Sequence, residues 1–92
     1  MSMAMKAHAS IPPDVMARAV GEEIVILNLT NGAYFGLDAV GARVWTLIGE
    51  SKSLSEICAA MLNEYDVPPD ELERDIAKLV QDLFAQQLIN LV

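Results

Sequence analysis

The stretch from Ile24 to Leu37 limits the possible folds of this chain more than any other. Ile24-Val25-Ile26-Leu27-Asn28-Leu29 is a β-branched, apolar run of strand length, and Thr30-Asn31-Gly32 follows it at once. Asn-Gly is the preferred central pair of a type I′ turn, because both central positions take positive φ. Ala33-Tyr34-Phe35-Gly36-Leu37 then reads as the returning strand. A weaker strand, Val15 to Ala19, lies upstream across Val20-Gly21-Glu22, which predicts a three-stranded antiparallel meander. Three strands do not stand alone in water; one face of the sheet has to be covered.

The rest of the chain supplies that cover. After Leu37 the apolar period changes from strand to helix. Val40, Val44, Leu47 and Ile48 recur at helical spacing beside Trp45, with Asp38 as N-cap and Gly49 as terminator. Ser53-Leu54-Ser55-Glu56 has the form of a capping box. It opens a second helix striped by Leu54, Ile57, Cys58, Met61, Leu62 and Tyr65. Pro68-Pro69-Asp70-Glu71 opens a third, because proline suits the first helical position and acids complement the helix dipole. Leu72, Ile76, Leu79, Val80, Leu83, Phe84 and Leu88 stripe its face, and Trp45, Tyr65 and Phe84 are expected in the core. Ile89 to Val92 either form a short last strand or pack down. Ile11-Pro12-Pro13-Asp14 breaks regular structure, so residues 1–13 read as a flexible tail and 14–92 as the domain.

Charge excludes several functions. The 92 residues carry 6 basic and 13 acidic side chains, a net charge of −7, although 53% of them are hydrophobic. A general nucleic-acid binder needs a basic face to displace counterions from phosphate. No run approaches the roughly 18 uncharged apolar residues of a membrane span, and Met1 to Ser10 lack the apolar core of a signal peptide. The single Cys58 makes no internal disulfide, so a cytoplasmic protein is expected.

Catalytic and metal constellations are hard to assemble here. With one His (His8) and one Cys, no zinc cluster of ordinary spacing exists, and no phosphate-binding glycine motif is present. Cys58 sits on an apolar helix face beside Ile57 and Met61 and reads as a buried structural thiol. Asp70, Glu71, Glu73 and Asp75 form either a solvated helix start or a docking edge for a peptide bearing Lys or Arg. No cofactor and no metal are implied. The third strand, Ala33 to Leu37, is the notable element: an edge of the meander with no Pro, Lys or charge to blunt it. Either residues 89–92 or the N-terminal tail cover that edge, or it stays open for a partner strand, a recurrent mode of peptide recognition.

From about Val25 to Val92 the chain resembles the PqqD-like family, the small peptide-recognition domains (RiPP recognition elements) of ribosomal peptide natural-product pathways. The likeness is carried by Leu27 to Asp38, Val40-Gly41-Ala42-Arg43-Val44-Trp45, Ser53-Leu54-Ser55-Glu56-Ile57, Tyr65-Asp66-Val67-Pro68 and, in the last helix, Asp75, Leu79, Leu83 and Leu88. Thr30 to Gly36 are closer to the free-standing domains of lasso-peptide clusters than to the pyrroloquinoline-quinone member.

The resemblance implies an α+β fold like a winged helix-turn-helix, a three-stranded antiparallel sheet followed by three helices. It implies a groove between the third strand and the third helix, where the leader segment of a precursor peptide adds as a further strand. Carried over, the strand side is Ala33, Tyr34, Phe35 and Gly36, and the helix side is Leu72, Asp75, Ile76 and Leu79, with Lys78 and Asp82 at the rim. The expected protein is a non-enzymatic adaptor that delivers a leader to a separate processing enzyme, such as the leader peptidase of a lasso-peptide pathway. Two other readings are a peptide chaperone of the pyrroloquinoline-quinone type, working with a radical SAM enzyme, and a winged-helix DNA-binding regulator. The open edge also permits self-pairing into a homodimer; nucleic acid and membrane are not expected partners.

Overall fold

The computed structural model describes residues 7–91, so the first six residues of the expected tail and Val92 lie outside it. The elements run β1 (Ala9–Ser10), β2 (Val15–Val20), β3 (Glu23–Asn28), β4 (Tyr34–Leu37), α1 (Ala39–Gly49), α2 (Leu54–Glu64), α3 (Pro69–Ala85) and β5 (Asn90–Leu91). The fold is α+β, with the meander in the order β2-β3-β4 and a separate two-stranded pair of β1 with β5. No helix among the described residues is long and apolar enough to cross a membrane.

Both turns of the meander need a left-handed residue. Gly21, at φ 63°, takes the first central position between the paired residues Val20 and Glu23, as a type II′ turn requires. The second turn corrects the type I′ expectation. Only Gly32 has positive φ (76°), Asn31 does not, and the connection is the four-residue loop 29–32. The reason is Asn28. Its side-chain Oδ1 accepts from the amides of Thr30 (2.8 Å) and Asn31 (3.2 Å), which holds the loop in a wider turn than two residues would form.

One face of the sheet is buried. Ile26 and Leu37 are fully enclosed, and Val15, Ile24 and Phe35 pack partly against the same core. The alternate residues Met16, Val25, Leu27 and Tyr34 point away from the helices and are exposed. Asp38 caps α1 by accepting from the Gly41 amide at 2.8 Å, and Ser53 and Glu56 close the capping box of α2. Arg43 of α1 donates to both carboxylate oxygens of Glu64 at the end of α2, and this holds the Glu64 carboxyl below the usual carboxylate range.

Helix α3 ends before the sequence pattern suggests. Gln87 takes φ 61°, and the amides of Leu88 and Gln87 donate to the carbonyls of Leu83 (2.9 Å) and Phe84 (3.0 Å), a Schellman closure. Leu88 therefore enters the core from beyond the helix, against Leu83. Phe84, expected in the core, is 51% exposed, because it stands at the margin of the stripe that Leu72, Ile76, Val80 and Leu83 turn to the core. The tail expectation also fails for the described residues 7–11. Ala9 is buried and pairs with Leu91, Ser10 pairs with Asn90, and the Ala7 carbonyl accepts from the Leu54 amide at 3.0 Å. Burying the small Ala9 between the two ends of the fold requires no long apolar run, so the sequence pattern carries no sign of it.

Among the described residues Asn28 is the one buried polar side chain. Its Nδ2 donates to the Gln87 carbonyl at 2.8 Å, joining the β3–β4 loop to the end of α3. Replacing it by alanine strands the Gln87 carbonyl and two loop amides. Asn28→Ala is expected to destabilise the fold by about 2–3 kcal/mol, whereas Asn31→Ala, which removes exposed side-chain bonds, should change it by under about 0.5 kcal/mol; urea unfolding followed by circular dichroism checks both.

Candidate functional site

Strand β4 forms one edge of the meander, and its register with β3 decides which of its backbone groups are free. Asn28 donates to the Ala33 carbonyl at 2.8 Å, and the pairs that follow are Leu27 with Tyr34, Ile26 with Phe35, Val25 with Gly36 and Ile24 with Leu37. Hydrogen-bonded and non-bonded pairs alternate along an antiparallel ladder. Phe35 and Leu37 therefore spend their amides and carbonyls on β3, while those of Tyr34 and Gly36 point outward. Among the described residues nothing pairs with this edge. Within the two segments that the sequence offers as covers, residues 9–10 pair with 90–91 instead.

The free edge opens onto a groove of about 590 Å³. Phe35, Gly36 and Leu37 of β4 form one wall, and Glu71, Leu72, Asp75, Ile76 and Leu79 of α3 form the other. Val40 and Val44 of α1 lie between them, and Tyr65 and Val67 close one end. The α3 residues fall at steps of 1, 3, 1 and 3, so one helix face serves both purposes: Leu72 and Ile76 are buried in the core at the groove's base, and Leu79 is half-buried above it. Among the described residues three carboxylates, Asp38, Glu71 and Asp75, border the groove and no Lys or Arg does. Asp38 is already engaged as the α1 cap.

Of the ten residues proposed from the sequence, Phe35, Gly36, Leu72, Asp75, Ile76 and Leu79 come together in this groove. Four do not line it. Ala33 ends the β3–β4 loop, Tyr34 projects its ring from the opposite face of the sheet, and Lys78 and Asp82 pair with each other across one helical turn at 3.1 Å. The contributions of α1 and of Tyr65 and Val67 were missed. A signal for α1 exists: Asp38 alone separates β4 from α1, so the first turn of α1 has to sit beside the strand end. Of the acid cluster, Glu71 and Asp75 face the groove and Asp70 and Glu73 do not.

Other chemistry is sparse. Cys58 is half-buried, and burial together with the nearby Glu73 carboxylate pushes its thiol up, which keeps it protonated near neutral pH. Among the described residues no group of three or more His, Cys, Asp or Glu is placed to hold a metal ion.

The family model described as Coenzyme PQQ synthesis protein D (PqqD) matches residues 23–89. The structure of TbiB1 in complex with the TbiA(beta) leader peptide is 38% identical over 88% of this chain and 94% of that one, with a TM-score of 0.83. Lasso peptide synthetase B1 complexed with the leader peptide has the same fold, with a TM-score of 0.81 over 90% of this chain and 98% of that one, at 23% identity. Among curated proteins nothing matches.

The register makes a prediction for proline. Phe35→Pro would remove a donor to β3 and break the internal ladder, so it is not the clean edge probe that an uncharged strand suggests. Tyr34→Pro loses only an outward amide at the first residue of the strand, where proline is tolerated. Thermal denaturation should show Tyr34→Pro within about 1 kcal/mol of Tyr34→Ala and Phe35→Pro lower by about 3 kcal/mol or more.

Proposed function

The chain belongs to the PqqD family, and we propose that it is a non-catalytic binder of the leader segment of a ribosomally made precursor peptide. The observation that carries this reading is an unpaired strand edge lying against an apolar groove. An extended peptide placed beside β4 satisfies the outward amides and carbonyls of Tyr34 and Gly36. Its alternate side chains then turn inward onto Phe35, Val40, Val44 and Leu79. Backbone bonds give affinity in such strand addition, and the side-chain contacts give specificity. A disordered leader has to overcome its own ordering entropy, so apolar anchors are needed beside the ladder. Glu71 and Asp75, with no cation beside them in the groove lining, favour a leader carrying Lys or Arg near those anchors.

The complex of TbiB1 with a leader peptide supports the same assignment. Delivery follows from tethering. Holding the leader raises the local concentration of the segment to be processed, and an enzyme on a separate chain supplies the bond-breaking chemistry. A leader peptidase of a lasso-peptide pathway, acting in the cytoplasm, is the partner this reading favours. Without a leader, the same edge would pair two copies of the chain.

The test is a fluorescence-polarisation titration of the full chain with the labelled leader of the precursor peptide encoded beside its gene. Binding at micromolar concentration is expected, with amide exchange at Tyr34 and Gly36 slowed on addition of the leader. Val40 is exposed at the groove. Val40→Gln should keep the melting temperature and weaken binding by about fivefold or more, close to 1 kcal/mol. A leader that does not bind, or binds without protecting those amides, would sink the reading.

A further inference from the structure

Gly36 is a glycine that nothing in this chain explains. Gly21 and Gly32 have positive φ; Gly36 does not. At Gly41 an added Cβ would lie 3.2 Å from Leu37 Cδ2, but at Gly36 it would meet no heavy atom within 4 Å. Glycine within a strand is destabilising, through backbone entropy and through the side chain it fails to pack, and it often marks a place where a ligand approaches.

The surroundings say what the missing side chain leaves free. Position 36 lies on the sheet face turned away from the helices, opposite Val25 and two residues after Tyr34. Val25 and Tyr34 are both exposed, so the bare backbone at Gly36 is a notch bordered by an aliphatic side chain and a ring. The outward amide and carbonyl of Gly36 would make it one member of a directly opposed pair with an antiparallel added strand. Directly opposed side chains stand on one face with Cβ atoms about 4.5–5.5 Å apart. A large side chain on the residue facing Gly36 can therefore fold back over it and reach Val25, as aromatic residues do over strand glycines.

We propose that Gly36 is a specificity-determining residue: the leader residue paired with it carries an aromatic or large apolar side chain that lies across Gly36 onto Val25 and Tyr34. The inference rests on the β4 edge being the leader site and deepens that reading. It makes recognition two-sided, with inward anchors in the groove and one outward anchor over the notch. A β-carbon and its branches at position 36 would fill the space that this anchor uses, without disturbing the protein's own packing.

Gly36→Val and Gly36→Ala, made in the full chain, test this by thermal denaturation and by polarisation titration with the leader named above. Both variants should melt at or above the wild-type temperature. Leader affinity should fall about tenfold for valine and by a smaller factor for alanine. An alanine scan of the leader should find one large residue whose truncation weakens binding to the wild type and has little effect on Gly36→Val, the coupling of a direct contact. Wild-type affinity in Gly36→Val, a lowered melting temperature in both variants, or a scan with no coupled residue would overturn the inference while leaving leader binding intact. If the wild-type chain itself binds no leader, the leader-binding reading fails, and this inference with it.

Discussion

A single buried amide ties the two walls of the groove together. Asn28 ends β3, and its side chain accepts from two loop amides and donates to the carbonyl of Gln87 just beyond α3. Gln87 takes a left-handed conformation that L-residues adopt at a cost of about 1–2 kcal/mol, and the Schellman bonds and the Asn28 contact offset it. The hairpin and α3 thus share one polar joint at one end of the molecule. Asp38, the one residue between β4 and α1, caps α1 by accepting from the Gly41 amide. The groove lies between β4 and α3.

No described residue pairs with the β4 edge. Natural proteins blunt an exposed edge with charge, proline, a bulge or a covering segment, and here residues 9–10 and 90–91 pair with each other in a separate sheet. Electrostatics follows the same division. Residues 1–50 hold 3 basic and 5 acidic side chains and residues 51–92 hold 3 and 8, so the negative charge gathers on the helical half. The two ion pairs among the described residues are exposed and contribute little to stability. Apolar packing around Ile26, Leu47, Ile57 and Leu83 holds the walls, and the groove's carboxylates Glu71 and Asp75 enter neither pair.

Much of this was legible in the chain. The alternating and helical periods locate β2 to β4 and α1 to α3, and the Asp38 and Ser53 caps are found at their positions. Six of the ten candidate residues, carried over from the family resemblance, meet at one groove. Three expectations failed. The turn at Asn31-Gly32 widened because Asn28 bonds its own loop, and Ala9 was buried by pairing with Leu91. Neither a side-chain bond to a nearby amide nor a pairing between the two ends of the chain is encoded in a periodicity. Phe84 stands at the margin of the α3 stripe and stayed exposed.

The residues alone determined which segments are strand or helix, their order, and that β4 has no charge or proline to blunt an edge. These are properties of neighbours a few positions apart, where side-chain period and capping chemistry act. Only the tertiary structure decided that no described residue pairs with the edge, that Tyr34 and Gly36 rather than Phe35 carry the outward backbone groups, and how α3 divides its apolar face between core and groove. Register and partition depend on elements dozens of residues away, and one stripe of leucine and isoleucine is compatible with either side until those elements pack against it.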